Sequence, residues 1–122
     1  MKIRIKGNSI RIRLTKPEVS KLADTGRIEE HTFFANNRLV YSLQSIDTGS
    51  ELSAAYHADT ITMFVPKELI KGWQENDVVG FSANMAINKN DNLYLLLEKD
   101  FVCLDETNED QSNNYENPNK TC

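Results

Sequence analysis

Apolar and cationic side chains alternate along residues 2–14: Ile3 and Ile5 sit between Lys2, Arg4 and Lys6, and Ile10, Ile12 and Leu14 sit around Arg11 and Arg13. A period of two places the aliphatic residues on one face of extended chain and the cations on the other. Gly7-Asn8-Ser9 interrupts this pattern, either as a hairpin turn or as a bulge in one long strand. The period then changes. Thr15-Lys16-Pro17-Glu18 reads as a helix start in which Thr15 caps and Glu18 closes a capping box. Val19, Leu22 and Ala23 give that helix a short apolar stripe, and Gly26 suits the left-handed position past its end. Arg27–Ala35 and Arg38–Gln44 read as strands turned at Asn36-Asn37. Leu52–Ala58 and Thr60–Val65 form a second pair with a tight turn near Ala58-Asp59. Pro66-Lys67-Glu68 opens a second helix that buries Leu69, Ile70 and Trp73, with Gly72 as its weak point. Val78–Ile87, a turn over 88–92 and the apolar stretch Leu93–Leu104 complete the strands. From Asp105 to Cys122 apolar residues almost vanish, and such a segment cannot drive its own folding.

These elements predict an α+β fold with a mostly antiparallel, strongly curved or barrel-like sheet of about seven to eight strands and two short helices. The order strand, helix, strand, strand occurs from Ile10 and again from Ile61, which admits a duplicated β-α-β-β unit and a closed sheet. A chain of 122 residues fits one domain. The expected organisation is a single α+β domain over residues 1–104 with an acidic polar tail, 105–122, docked on it.

Composition supports a folded chain: apolar residues make up 39% and charged residues 26%, both near globular values. No apolar run approaches the length of a membrane span. The N-terminus alternates charge with Ile and lacks the apolar centre of a signal peptide, so a cytoplasmic address is expected, with no membrane partner. The net charge of −4 hides an asymmetry. Residues 1–38 hold nine Lys/Arg against four Asp/Glu, whereas residues 98–122 hold two against seven. Either the tail folds back on the basic face, which tethering favours, or each end meets an outside partner.

Lys2, Arg4, Lys6, Arg11 and Arg13 are the leading candidate site. If Gly7–Ser9 is a turn, like charges face each other across the two arms, an arrangement that an intervening anion would relieve. Arg forks match phosphate oxygens, so a small phosphorylated anion is one expected partner. Neighbouring acids such as Glu29, Glu30 or the tail are the structural alternative. Cys103 and Cys122 are too few for a disulfide scaffold. They read as ordinary thiols, as a disulfide, or as zinc ligands completed by His57, His31 or carboxylates. The tail acids Asp105, Glu106, Glu109, Asp110 and Glu116 could take Mg²⁺ or solvate the tail. His31 and His57 sit in no recognised catalytic arrangement. Phosphate-loop, dinucleotide, zinc-protease and nucleophile-elbow motifs are missing. Nucleic acid is disfavoured as a partner by the acidic net charge and by basic strands without interleaved aromatics. Three functions remain: a non-enzymatic domain that binds an anion or its own tail, a phosphohydrolase, and a metal- or thiol-tethered interaction module, which a sheet edge could make a homodimer.

Two resemblances bear on these choices. The opening Met1-Lys2-Ile3-Arg4-Ile5-Lys6-Gly7-Asn8-Ser9-Ile10-Arg11-Ile12-Arg13-Leu14-Thr15, with Lys99-Asp100-Phe101-Val102-Cys103-Leu104, Asn117-Pro118-Asn119 and Cys122 near the end, resembles a family of small bacterial proteins of unknown function. The doubled β-α-β-β order, with Ile10-Arg11-Ile12-Arg13 on an early strand, is similar to the CYTH or triphosphate-tunnel barrel. That second resemblance implies inward Lys2, Arg4, Lys6, Arg11 and Arg13 holding a triphosphate. Lys2, Arg4 and Lys6 stand where the family carries alternating Glu for its divalent metal, so it implies anion binding more directly than hydrolysis.

Overall fold

A computed structural model of the chain describes residues 1–101 and 115. The elements are β1 (Lys2–Ile5), β2 (Ser9–Leu14), α1 (Lys16–Thr25), β3 (Arg27–Phe33), β4 (Arg38–Ile46), β5 (Ser53–His57), β6 (Thr60–Pro66), α2 (Lys67–Ile70), β7 (Gly80–Ala86) and β8 (Asn92–Lys99). They build two sheets of four strands each, ordered β1-β2-β8-β7 and β3-β4-β6-β5. This corrects the expectation of one strongly curved or barrel-like α+β sheet. Among the described residues the fold is mostly β, with two short helices and no closed barrel. The physical reason lies in two long-range parallel pairings, β2 with β8 and β4 with β6. Each joins an early hairpin to a late one, and β1, β7, β3 and β5 remain as edges.

Local chemistry explains the elements. The N–H of Thr15 donates to Glu18 Oε1 at 2.9 Å, which sets the start of α1. Gly26 ends that helix at φ 76°, its N–H donating to the Leu22 carbonyl at 2.9 Å. The segment 6–9 is a hairpin turn rather than a bulge: the Lys6 N–H donates to the Ser9 carbonyl, and the Ser9 hydroxyl donates back to the Lys6 carbonyl at 2.6 Å. Ala58 and Asp59 both take positive φ, 51° and 59°, as a two-residue turn matching the strand twist requires. The second helix is only four residues long. One helical turn is too little to hold itself, and Trp73 is buried from the turns that follow it rather than from the helix.

The core lies between the sheets. Ile12, Leu14, Leu95 and Leu97 come from one sheet, and Ile28, Leu43, Met63 and Val65 from the other. Val19 and Leu22 of α1 join them, with Trp73 against the Phe81 ring at 5.0 Å between centroids. Tyr115 packs against this core, its N–H donating to the Asp100 carbonyl at 2.7 Å. Because Ile12 and Leu14 point into the core, the alternation forces Arg11 and Arg13 onto the opposite face of the sheet.

Candidate functional site

Register gathers the cations. Lys2 stands opposite Arg13 and Arg4 opposite Arg11 across the β1–β2 pair. Arg11 and Arg13 in turn face Leu96 and Glu98 on β8, and Ser9 faces Tyr94. Directly opposed residues share a face, so four cations, a carboxylate and the Tyr94 ring occupy one surface turned away from the core. Two grooves run across it. One, of about 430 Å³, is lined by Lys2, Ile3, Arg4, Arg11 and Arg13. The other, of about 260 Å³, is lined by Arg4, Lys6, Ser9, Ile10, Arg11, Tyr94 and Leu96. Arg4 and Arg11 belong to both.

Glu98 is the counter-charge. Its Oε1 accepts from Arg11 Nε at 2.6 Å and from Arg13 Nε at 2.8 Å. Lys2 Nζ lies 3.1 Å from Oδ2 of the buried Asp100. Among the described residues, no carboxylate lies within ion-pair distance of Arg4 or Lys6. Among the described residues, five cations on this face stand with two carboxylates, Glu98 and Asp100. The Arg4–Arg11 opposition is unfavourable by itself, and Glu98 offsets it only from the Arg11 side.

The acids expected beside these cations lie elsewhere. Glu29 and Glu30 are on β3 of the other sheet. Hydrogen bonds from Arg27 and then His31 hold the Glu29 carboxyl below its usual range. Glu30 accepts from the Tyr41 hydroxyl at 2.9 Å. Burial, followed by the Glu30 hydrogen bond and the nearby carboxylates, pushes the Tyr41 phenol up to about 12. His31 stacks on Phe33 at 6.1 Å, and His57 is exposed at the end of β5 opposite Thr60. Cys103, Cys122 and the tail acids lie outside the described residues. Among those described, no group of three or more His, Cys, Asp or Glu could hold a metal ion. The cations line an open sheet face, not the tunnel implied by the barrel resemblance.

Sequence reading missed Tyr94, Leu96 and Asp100 as parts of this surface. Leu93-Tyr94-Leu95-Leu96-Leu97 is an unbroken apolar run, and such a run has no period to say which residues face the core. The available signal was Glu98, a polar residue in phase with Tyr94 and Leu96. Lys99, in the opposite phase, is buried: its Nζ donates to the Asn76 carbonyl at 2.6 Å and lies 4.9 Å from the Tyr115 ring centre. Burial lowers its pKa, against the pull of Asp77.

Comparison with protein-family models matches residues 1–119 to a family of unknown function, DUF7009, in agreement with the likeness read from the opening and closing segments. No curated protein and no solved structure matches the chain.

Proposed function

The chain belongs to this family of unknown function, and we propose that its basic sheet face binds a multiply charged anion, with a small phosphorylated compound as the ligand class. The observation that carries the reading is Arg4 set directly opposite Arg11 in a groove where Glu98 is already shared by Arg11 and Arg13. Guanidinium forks present paired donors that match phosphate oxygens, and an anion between the two arginines removes their repulsion. Glu98 is engaged by two arginines and Asp100 by Lys2, so neither stands ready to hold a divalent metal. Binding is therefore the reading this arrangement favours over hydrolysis. The acidic residues of segment 105–122 are the competing occupant, supplied by the same chain.

A thermal-shift screen against phosphate, pyrophosphate and triphosphate, with and without Mg²⁺, tests this. A ligand at about 100 times its dissociation constant adds about 2.7 kcal/mol of stability. The shift should grow with anion charge, shrink with added salt and disappear in Arg4→Ala/Arg11→Ala. If no anion shifts the wild-type protein, the reading fails. Neutralising the tail with Asp105→Asn, Glu106→Gln, Glu109→Gln and Asp110→Asn should tighten anion binding if the tail competes for the face.

A further inference from the structure

The second groove narrows the ligand class. Resting on the anion reading above, we infer that the anion carries a planar ring: the ligand is a nucleoside phosphate, with its phosphates on the Arg4–Arg11 pair and its base on Tyr94.

The two grooves differ in chemistry. The larger is cationic apart from Ile3, and an inorganic polyphosphate would need nothing more. The smaller adds Tyr94, Leu96 and Ile10 to Arg4, Lys6 and Arg11. Tyr94 leaves 42% of its surface exposed beside these cations. A lone exposed aromatic residue is ordinary on a protein surface. This one shares a groove with Arg4 and Lys6, which pair with no carboxylate among the described residues, and a π face next to backbone-binding cations is the composition that holds bases and their phosphates together.

Position and rigidity agree. Tyr94 lies two residues before Leu96, the residue opposite Arg11, so it is displaced about 7 Å along the sheet from the arginine pair. A sugar bridges that kind of span between a base and its phosphates. The backbone under the ring is pinned, since the Tyr94 N–H donates to the Asn8 carbonyl at 3.1 Å and Asn8 Nδ2 donates to the Asn92 carbonyl at 2.7 Å. A ring held this way loses little freedom on binding.

Titration calorimetry with ATP and with inorganic triphosphate, on wild type, Tyr94→Leu and Tyr94→Phe, tests the inference. Stacking of one base should make ATP bind about five-fold or more tighter than triphosphate to wild type. Tyr94→Leu should bring the two to parity by weakening ATP alone, and Tyr94→Phe should keep the preference. Equal affinities in wild type overturn the ring assignment and leave the anion reading standing. A preference for ATP that survives Tyr94→Leu, or a Tyr94→Leu loss equal for both ligands, also overturns it. Binding of neither ligand removes the anion reading and this inference with it.

Discussion

Gly80 shows how one residue without a side chain keeps the site strand in place. A Cβ at Gly80 would collide with the Leu97 carbonyl oxygen and stand 2.7 Å from Glu98 Cβ and 2.8 Å from Glu98 Cα. Those are backbone and near-backbone atoms of β8, which cannot swing aside as a long side chain can. Gly80→Ala should therefore destabilise the fold by about 2 kcal/mol, the scale of overpacking, read as a lower midpoint in urea. An unchanged midpoint would show that β7 and β8 can separate freely at that point. From sequence, Gly80 is one glycine in the apolar-polar stretch 78–87, and nothing local tells it from a bulge. Its close approach exists only because β8 runs antiparallel beside it.

The two faces of β1 and β2 were largely legible because their alternation is strict, whereas the choice between a hairpin turn and a bulge at Gly7–Ser9 was not. Six residues of β2 predicted which three point inward, and register with β8 then placed Arg11 and Arg13 on one surface with Glu98. The short second helix was less legible: Leu69, Ile70 and Trp73 suit a helical stripe, yet the helix stops at Ile70 and Gly72 turns with φ 73°. At this scale Glu98 is the informative position. Glu98→Gln keeps the shape but removes the charge that Arg11 and Arg13 share. The groove should then bind triphosphate about five-fold tighter, equivalent to roughly 1 kcal/mol of relieved repulsion between carboxylate and ligand. Fold stability should fall by less than about 1 kcal/mol, since the partner arginines are partly exposed. Calorimetry beside a melting curve separates the two effects. Weaker anion binding in Glu98→Gln would mean that the carboxylate positions the arginines rather than opposing the ligand.

Across the molecule, contacts between distant elements hold the two sheets to one core. The Met1 α-amino group, which leads into β1, ion-pairs with Glu18 of α1 and with Glu30 of β3, so three elements meet at one charged point. Burial pushes the Glu18 carboxyl up. Hydrogen bonds from the Met1 amino group and from Thr15, with the amino charge, outweigh it and bring the pKa below its usual value of 4.5. A carboxyl with a depressed folded pKa contributes stability above its unfolded pKa and loses it as pH falls through the folded value. Wild type should therefore lose stability as pH drops below about 4.5, and Glu18→Gln should flatten that limb while being less stable near neutrality. Urea unfolding at a series of pH values reads this. An acid limb of equal slope in the variant would assign the loss to other carboxylates.

Strand positions, the first helix with its cap and glycine stop, and the split between aliphatic and cationic faces all follow from residues within a few places of one another. Period and capping chemistry act locally, so they can be read along the chain. The number of sheets, the outward face of Tyr94 and Leu96, the Glu98 pairing with two arginines and the separation of Glu29 and Glu30 from them could not be read that way. Each depends on β2 meeting β8 and β4 meeting β6, pairings between residues up to 85 positions apart. Both pairings are parallel, so no hairpin turn sets their register. Burial of Ile12, Leu95, Leu43 and Met63 in one shared core selects it instead.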